Sequence, residues 1–206
     1  MEYYQFPVRA LGFASGPPEP QLEVSTECRA VGMQLLQRNG WDGQRALVAL
    51  APGAAYGSAK RWPAASFAAL TDKLASDGIR TVLIGGPGDA PAGKDLMARL
   101  DTPTLPINLI GQTDLPALAG TLIHCRALVS NDSGAMHVGA AIGIQVTALF
   151  GPTDERETSP RGTGRQVVLT NQVWCRPCML RECPLTHRCM RGIGVDAVLQ
   201  ATRLSG

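Results

Sequence analysis

The feature that most constrains this chain is an alternation of short apolar runs with stretches of helical period, sustained through residues 45–150. Arg45–Ala51 reads as a buried strand ended by Pro52-Gly53. The stretch from Pro63 to Ser76 carries Phe67, Leu70 and Leu74 at helical spacing, with Pro63 in its first turn. Arg80–Ile84 is a second apolar run, ended by Gly85-Gly86-Pro87-Gly88. Helical period then marks Asp89–Leu100, and Ile107–Ile110 makes a short strand. Asp114 is placed to cap a helix running through Cys125, with Pro116 near its start. Ala127–Ser130 reads as strand, Ser133–Ile142 as helix and Gln145–Phe150 as strand. Such alternation fits a parallel sheet wrapped by helices on both faces, an α/β fold of Rossmann-like kind.

Composition supports that class and removes others. Of 206 residues, 45% are hydrophobic and 17% charged, enough apolar material for a sizeable core and too much for bulk disorder. Lys and Arg total 19 against 17 Asp and Glu, a net charge of +2, which argues against a broad nucleic-acid surface. Aromatic residues are only 5%, weakening any reading built on stacked bases. No stretch approaches the roughly 20 apolar residues of a membrane-spanning helix. The opening Met1-Glu2-Tyr3-Tyr4-Gln5-Phe6 lacks the basic and apolar regions of a secretory signal, so a cytoplasmic location is expected.

Parallel sheets place ligands at the carboxyl ends of their strands, so the loops after each strand are where chemistry is sought. Asn131-Asp132-Ser133-Gly134-Ala135-Met136-His137 turns from strand into helix. A helix start offers unpaired N–H groups and the positive end of a dipole, both favourable to an anion. Small Ser133 and Gly134 would let a phosphate approach the backbone, and His137 would project from the first turn toward the same opening. Plain N-capping by Asp132 or Ser133 accounts for the same string and is the commoner arrangement. In Gly57-Ser58-Ala59-Lys60-Arg61-Trp62-Pro63, two cations precede a helix: Lys60 could reach a diphosphate while Trp62 anchors the loop, or both cations are simply solvated. There is no G-x-x-x-x-G-K-[ST] loop, which disfavours an ATPase. Nor does a G-x-G-x-x-G turn follow the first strand, which weakens a dinucleotide oxidoreductase.

The string from Ala51 to Pro63 (APGAAYGSAKRWP) closely resembles glycosyltransferase family 9, the ADP-heptose-dependent heptosyltransferases. Leu83–Gly86, Asn108–Thr113, Val129–His137 and Ala148–Asp154 resemble further segments of that family, in family order. The resemblance implies the C-terminal, nucleotide-sugar-binding half of a two-domain GT-B enzyme. It also implies inverting transfer of heptose from ADP-heptose to a heptose of the lipopolysaccharide inner core. By analogy Lys60 would hold the diphosphate, while Asp132, Ser133, Gly134, Ala135 and His137 would form the helix-start cradle. Asp89 would face the nucleoside, and Thr153 lies in another matching loop. The resemblance further implies ADP-heptose as the donor, no required cofactor or metal and, through a lipid-linked acceptor, peripheral contact with the cytoplasmic face of the inner membrane.

The family's general base lies on its N-terminal acceptor domain. Residues 1–43 are expected to be the tail of that domain and an interdomain linker, including the stiff Gly16-Pro17-Pro18-Glu19-Pro20 and a helix over Thr26–Arg38. Residues 44–206 are expected to be the donor domain, holding no catalytic base and inactive alone. A non-catalytic nucleotide-binding module of the same fold is the alternative. Cys175, Cys178, Cys183 and Cys189 crowd into a Cys-rich loop over residues 174–190, with His187 among them. Their spacing suits a structural metal, a redox-sensitive disulfide or free thiols. The family mechanism assigns none of these, and Cys28 and Cys125 look incidental.

Overall fold

The computed structural model describes residues 2–14, 16–17 and 19–203, so Pro18 of the expected linker lies outside the described residues. Among them, six strands form one all-parallel sheet: β1 (Leu47–Ala51), β2 (Arg80–Leu83), β3 (Ile107–Asn108), β4 (Ala127–Asn131), β5 (Gln145–Phe150) and β6 (Gln166–Thr170). The helices in chain order are α1 (Glu2–Ala10), α2 (Thr26–Arg38), α3 (Ala64–Ser76), α4 (Ala90–Met97), α5 (Leu115–Leu122), α6 (Gly134–Ile142), α7 (Glu155–Thr158), α8 (Arg188–Arg191) and α9 (Val195–Thr202).

The strand order is β3-β2-β1-β4-β5-β6. The chain therefore winds outward from β1 to one edge and then restarts at β4 toward the other. The seam between β1 and β4 is the topological switch point of a doubly wound sheet, where such folds leave a crevice beyond the strand ends. Register along the seam pairs Leu50 with Val129 and Ala51 with Ser130, so β4 ends one residue beyond β1.

Both faces of the sheet are covered, which is why the central strands read as continuous apolar runs. On one face Leu47, Ala49 and Ala51 of β1 pack with Leu36 of α2, Leu122 of α5 and Met136 of α6. The intervening Val48 and Leu50 point to the other face, against Phe67, Leu70 and Leu74 of α3 and Val198 of α9. Helices α2 and α5 touch so closely that a Cβ on Gly32 would stand 2.1 Å from the carbonyl carbon of Gly120. The second half of the expected tail and linker is thus built into the sheet's own packing: Leu36 is fully buried and Leu22 N–H donates to Ala141 O.

The elements between residues 45 and 150 appear where periodicity puts them, with shorter ends. The strand expected over Ile107–Ile110 spans only Ile107–Asn108, and the helix expected over Asp89–Leu100 is a 3-10 turn, Pro87–Asp89, followed by α4. The helix expected to run through Cys125 stops at Leu122, its start capped as expected by Asp114 Oδ1 accepting from Ala117 N–H at 2.9 Å. No helix among the described residues is long and apolar enough to cross a membrane.

Candidate functional site

Three loops converge beyond the strand ends at the switch point. Their common fastening is Asn131, the last residue of β4, fully buried. Its side-chain N–H groups donate to Pro52 O at 2.9 Å and Gly53 O at 3.1 Å, while its Oδ1 accepts from Trp62 N–H at 3.0 Å. One amide thereby satisfies the backbone of the turn after β1 and of the loop carrying Lys60. Trp62 anchors that loop as expected: it is 2% exposed, donates Nε1–H to Ile193 O at 3.0 Å and meets Phe67 edge-on at 4.9 Å.

The next residue, Asp132, gathers charge. Its Oδ2 accepts from Lys60 Nζ at 2.6 Å and from the Thr153 hydroxyl at 2.7 Å. Lys60 and Asp132 side chains are only 12% and 6% exposed, so Lys60 is no solvated surface cation. Its ammonium also lies 4.6 Å from the centroid of the Tyr56 ring, which supplies a favourable cation–π face. Lys60, Asp132 and Thr153 are far apart in sequence and meet at one oxygen.

Helix α6 begins immediately afterwards. Ser133 occupies its N-cap position but makes no side-chain capping bond. The Ser130 hydroxyl donates to Asn131 O at 2.7 Å, so the 3.1 Å contact between the Ser130 and Ser133 hydroxyls uses the proton of Ser133. Asp132 is held by Lys60 and Thr153. Neither residue caps the first turn, so the capping account of this string does not describe it. Gly134 and Ala135 line an open cleft of about 380 Å³ together with Ser133, Gly53, Gly86 and Asp89. A Cβ on Gly134 would meet nothing within 4 Å, so packing does not demand a glycine there.

Asp89 closes the far wall. Its Oδ2 accepts from Gly86 N–H at 3.0 Å, and its carboxyl sits where a Cβ on Gly53 would come within 1.9 Å. Glycine at position 53 is what lets the acidic side chain reach the cleft. His137 does not line the cleft; it stands exposed beside the ion pair. Partial desolvation holds its ring below the ordinary histidine value, with Asp132 pulling it up and Lys60 pushing it down.

The site residues expected from sequence thus fall into two groups. Asp89, Ser133, Gly134 and Ala135 line the cleft, while Lys60, Asp132 and Thr153 form a buried network with His137 beside it. Asn131 and Tyr56 were not expected; their hydrogen-bond partners, Pro52 and Gly53 for the first and Met179 for the Tyr56 hydroxyl, are distant in sequence and leave no local signal. A second cavity, of about 410 Å³, lies along the other flank of the Lys60 loop and contains none of the expected residues. The cysteines of the Cys-rich loop are free thiols lining one apolar pocket, and among the described residues no group of three or more His, Cys, Asp or Glu is arranged to hold a metal.

The strand order and the cleft at its switch point define a Rossmann-like α/β domain whose ligand site lies outside the strand ends. The sequence matches glycosyltransferase family 9 (heptosyltransferase) over residues 2–188, and the chain belongs to that family. It is 31% identical over 173 residues to lipooligosaccharide heptosyltransferase 2 of Campylobacter jejuni, covering 82% of this chain and 52% of that one. To lipopolysaccharide heptosyltransferase 2 of Escherichia coli it is 34% identical over 151 residues, covering 72% of this chain and 42% of that one. The solved structure of E. coli ADP-heptose LPS heptosyltransferase II superposes with a TM-score of 0.75 at 30% identity, over 91% of this chain and 54% of that one. The chain spans about half the length of these relatives.

Proposed function

We propose that this chain forms the donor side of a heptosyltransferase of lipopolysaccharide inner-core synthesis, with the cleft between Asp89 and the start of α6 as the seat of ADP-heptose. The observation that carries the reading is an uncapped helix start opening into a cleft, with the residue before its N-cap, Asp132, holding a nearly buried lysine. A diphosphate there would meet the first-turn amides of α6 and the Lys60 ammonium. Asp89 would face the nucleoside from the opposite wall. Thr153 and Asp132 keep Lys60 in one orientation, and His137 flanks the sugar side.

In the transfer, the acceptor hydroxyl oxygen bonds to the anomeric carbon from the face opposite the diphosphate. The bond between that carbon and the diphosphate oxygen breaks, and ADP leaves with the electron pair. Charge accumulates on the leaving oxygen, where Lys60 and the α6 amides stabilise it. The hydroxyl proton passes to a general base. The carboxylates of this site are otherwise engaged, Asp132 with Lys60 and Thr153 and Asp89 with Gly86, so the base is to come from an acceptor-binding domain and this chain alone is to be inactive. The acceptor, a lipid-linked core heptose, would bring the enzyme to the cytoplasmic face of the inner membrane.

Calorimetric titration with ADP, with NAD for comparison, tests the reading. Saturable ADP binding that Lys60→Ala weakens at least about tenfold is expected, the loss of one charged hydrogen bond. A folded chain that takes up no ADP, or binds NAD equally, would overturn it.

A further inference from the structure

The Cys-rich segment over residues 174–190 has no part in the transfer chemistry, yet it is fastened to both loops that build the ion network. After β5 the chain turns through Gly151-Pro152-Thr153, and every carbonyl of that turn accepts a hydrogen bond from the segment. Arg176 Nε–H donates to Gly151 O at 2.6 Å, and its Nη2 donates to Thr153 O at 3.1 Å. Between them, Cys178 N–H and Met179 N–H both donate to Pro152 O at 2.9 Å. The opposite loop is held as well: Ala59 N–H donates to Arg181 O at 3.0 Å, and the Tyr56 hydroxyl donates to Met179 O at 2.9 Å.

Arg176 is the centre of this fastening. Its side chain is 4% exposed, and its remaining charge is met by Glu155 Oε2 at 2.6 Å. A guanidinium presents several N–H groups in a fixed plane, so one side chain can hold two carbonyls of a turn at a set spacing. Thr153 is gripped at its carbonyl by Arg176 and spends its hydroxyl on Asp132, the same carboxylate oxygen that holds Lys60. We propose that Arg176 is a positioning residue of the donor site, acting through Thr153 on the Asp132–Lys60 pair. The inference rests on the donor-site reading above.

A double-mutant cycle on ADP affinity tests it, using Arg176→Lys, Thr153→Ala and the two together. Lysine keeps a positive charge beside Glu155 but cannot span both carbonyls. Each single variant is expected to weaken ADP binding about fivefold, and the double variant no further than Thr153→Ala alone. A purely structural role would lower the melting temperature without this non-additivity in binding. Should Arg176→Lys not fold, Glu155→Gln takes its place in the cycle, loosening the arginine without replacing it; about a twofold loss, absent in the Thr153→Ala background, is then expected. Multiplying losses, or no loss in a chain where Lys60→Ala still weakens ADP binding, would overturn the role of Arg176 alone. Absence of ADP binding by the unaltered chain would overturn the donor-site reading beneath it.

Discussion

Lys60 Nζ and Asp132 Oδ2 stand 2.6 Å apart at the switch point of the sheet, in a pocket where neither side chain is more than 12% exposed. Because the carboxylate also accepts from Thr153, the ammonium is held in one place before any ligand arrives. Removing it leaves Asp132 uncompensated. Lys60→Ala is therefore expected to cost about 2 kcal/mol of folding stability as well as ADP affinity, less than a wholly buried pair would because Lys60 keeps some solvent contact. Urea denaturation measures the first effect. An unchanged midpoint would show that the pair carries no stability.

Asn131 makes a separate prediction. Its one buried amide closes three hydrogen bonds to Pro52, Gly53 and Trp62. Asn131→Ala would orphan two carbonyls and an N–H in the interior, at an expected cost of about 3 kcal/mol. A shifted denaturation midpoint with an unchanged slope is the expected outcome. A cost below about 0.5 kcal/mol would show that the loops are held elsewhere.

His137 reports on the network through its titration. Desolvation sets its pKa below the ordinary value, Asp132 raises it and Lys60 lowers it. Followed by NMR, the midpoint should lie below about 6.5, fall further in Asp132→Asn and rise in Lys60→Ala. With the folded value depressed, the unfolded chain takes up the proton first. His137 therefore contributes stability above the unfolded pKa and loses it as pH falls through the folded value. A midpoint unmoved by either substitution would place the ring outside the field of the pair.

The thiols should divide by burial. Cys125 lies in the core behind α5, where burial pushes its pKa up to about 12. Cys189 is also raised, first by desolvation. Iodoacetamide applied to the folded chain should leave Cys125 unlabelled and label Cys189 more slowly than the half-buried Cys175, Cys178 and Cys183, as read by peptide mass spectrometry. Rapid labelling of Cys125 would mean that the α5 end opens readily.

Periodicity revealed the sheet up to β5 because buried parallel strands are apolar throughout and the helices between them have one apolar stripe. It did not reveal β6, an edge strand of half-buried Gln166–Thr170, or α9, whose packing against α3 is a tertiary fact. The glycine and serine at the start of α6 were legible as the turn from strand into helix, since helix starts and small residues are local signals. That Ser133 would leave the first turn uncapped was not legible, because it depends on where Ser130 donates. The same holds for Asn131, Tyr56 and Arg176, ordinary residues whose significance comes from partners at long sequence separation.

On the proposed reading, the cleft at the start of α6 receives the ADP part of the donor. Gly134 tests it most directly, because a side chain there meets no protein atom within 4 Å and would stand in the space assigned to the ligand. Gly134→Val should leave stability within about 0.5 kcal/mol of the unaltered chain. Calorimetry against ADP then decides: saturable binding by the unaltered chain and none by Gly134→Val is expected, and equal binding by both would place ADP elsewhere.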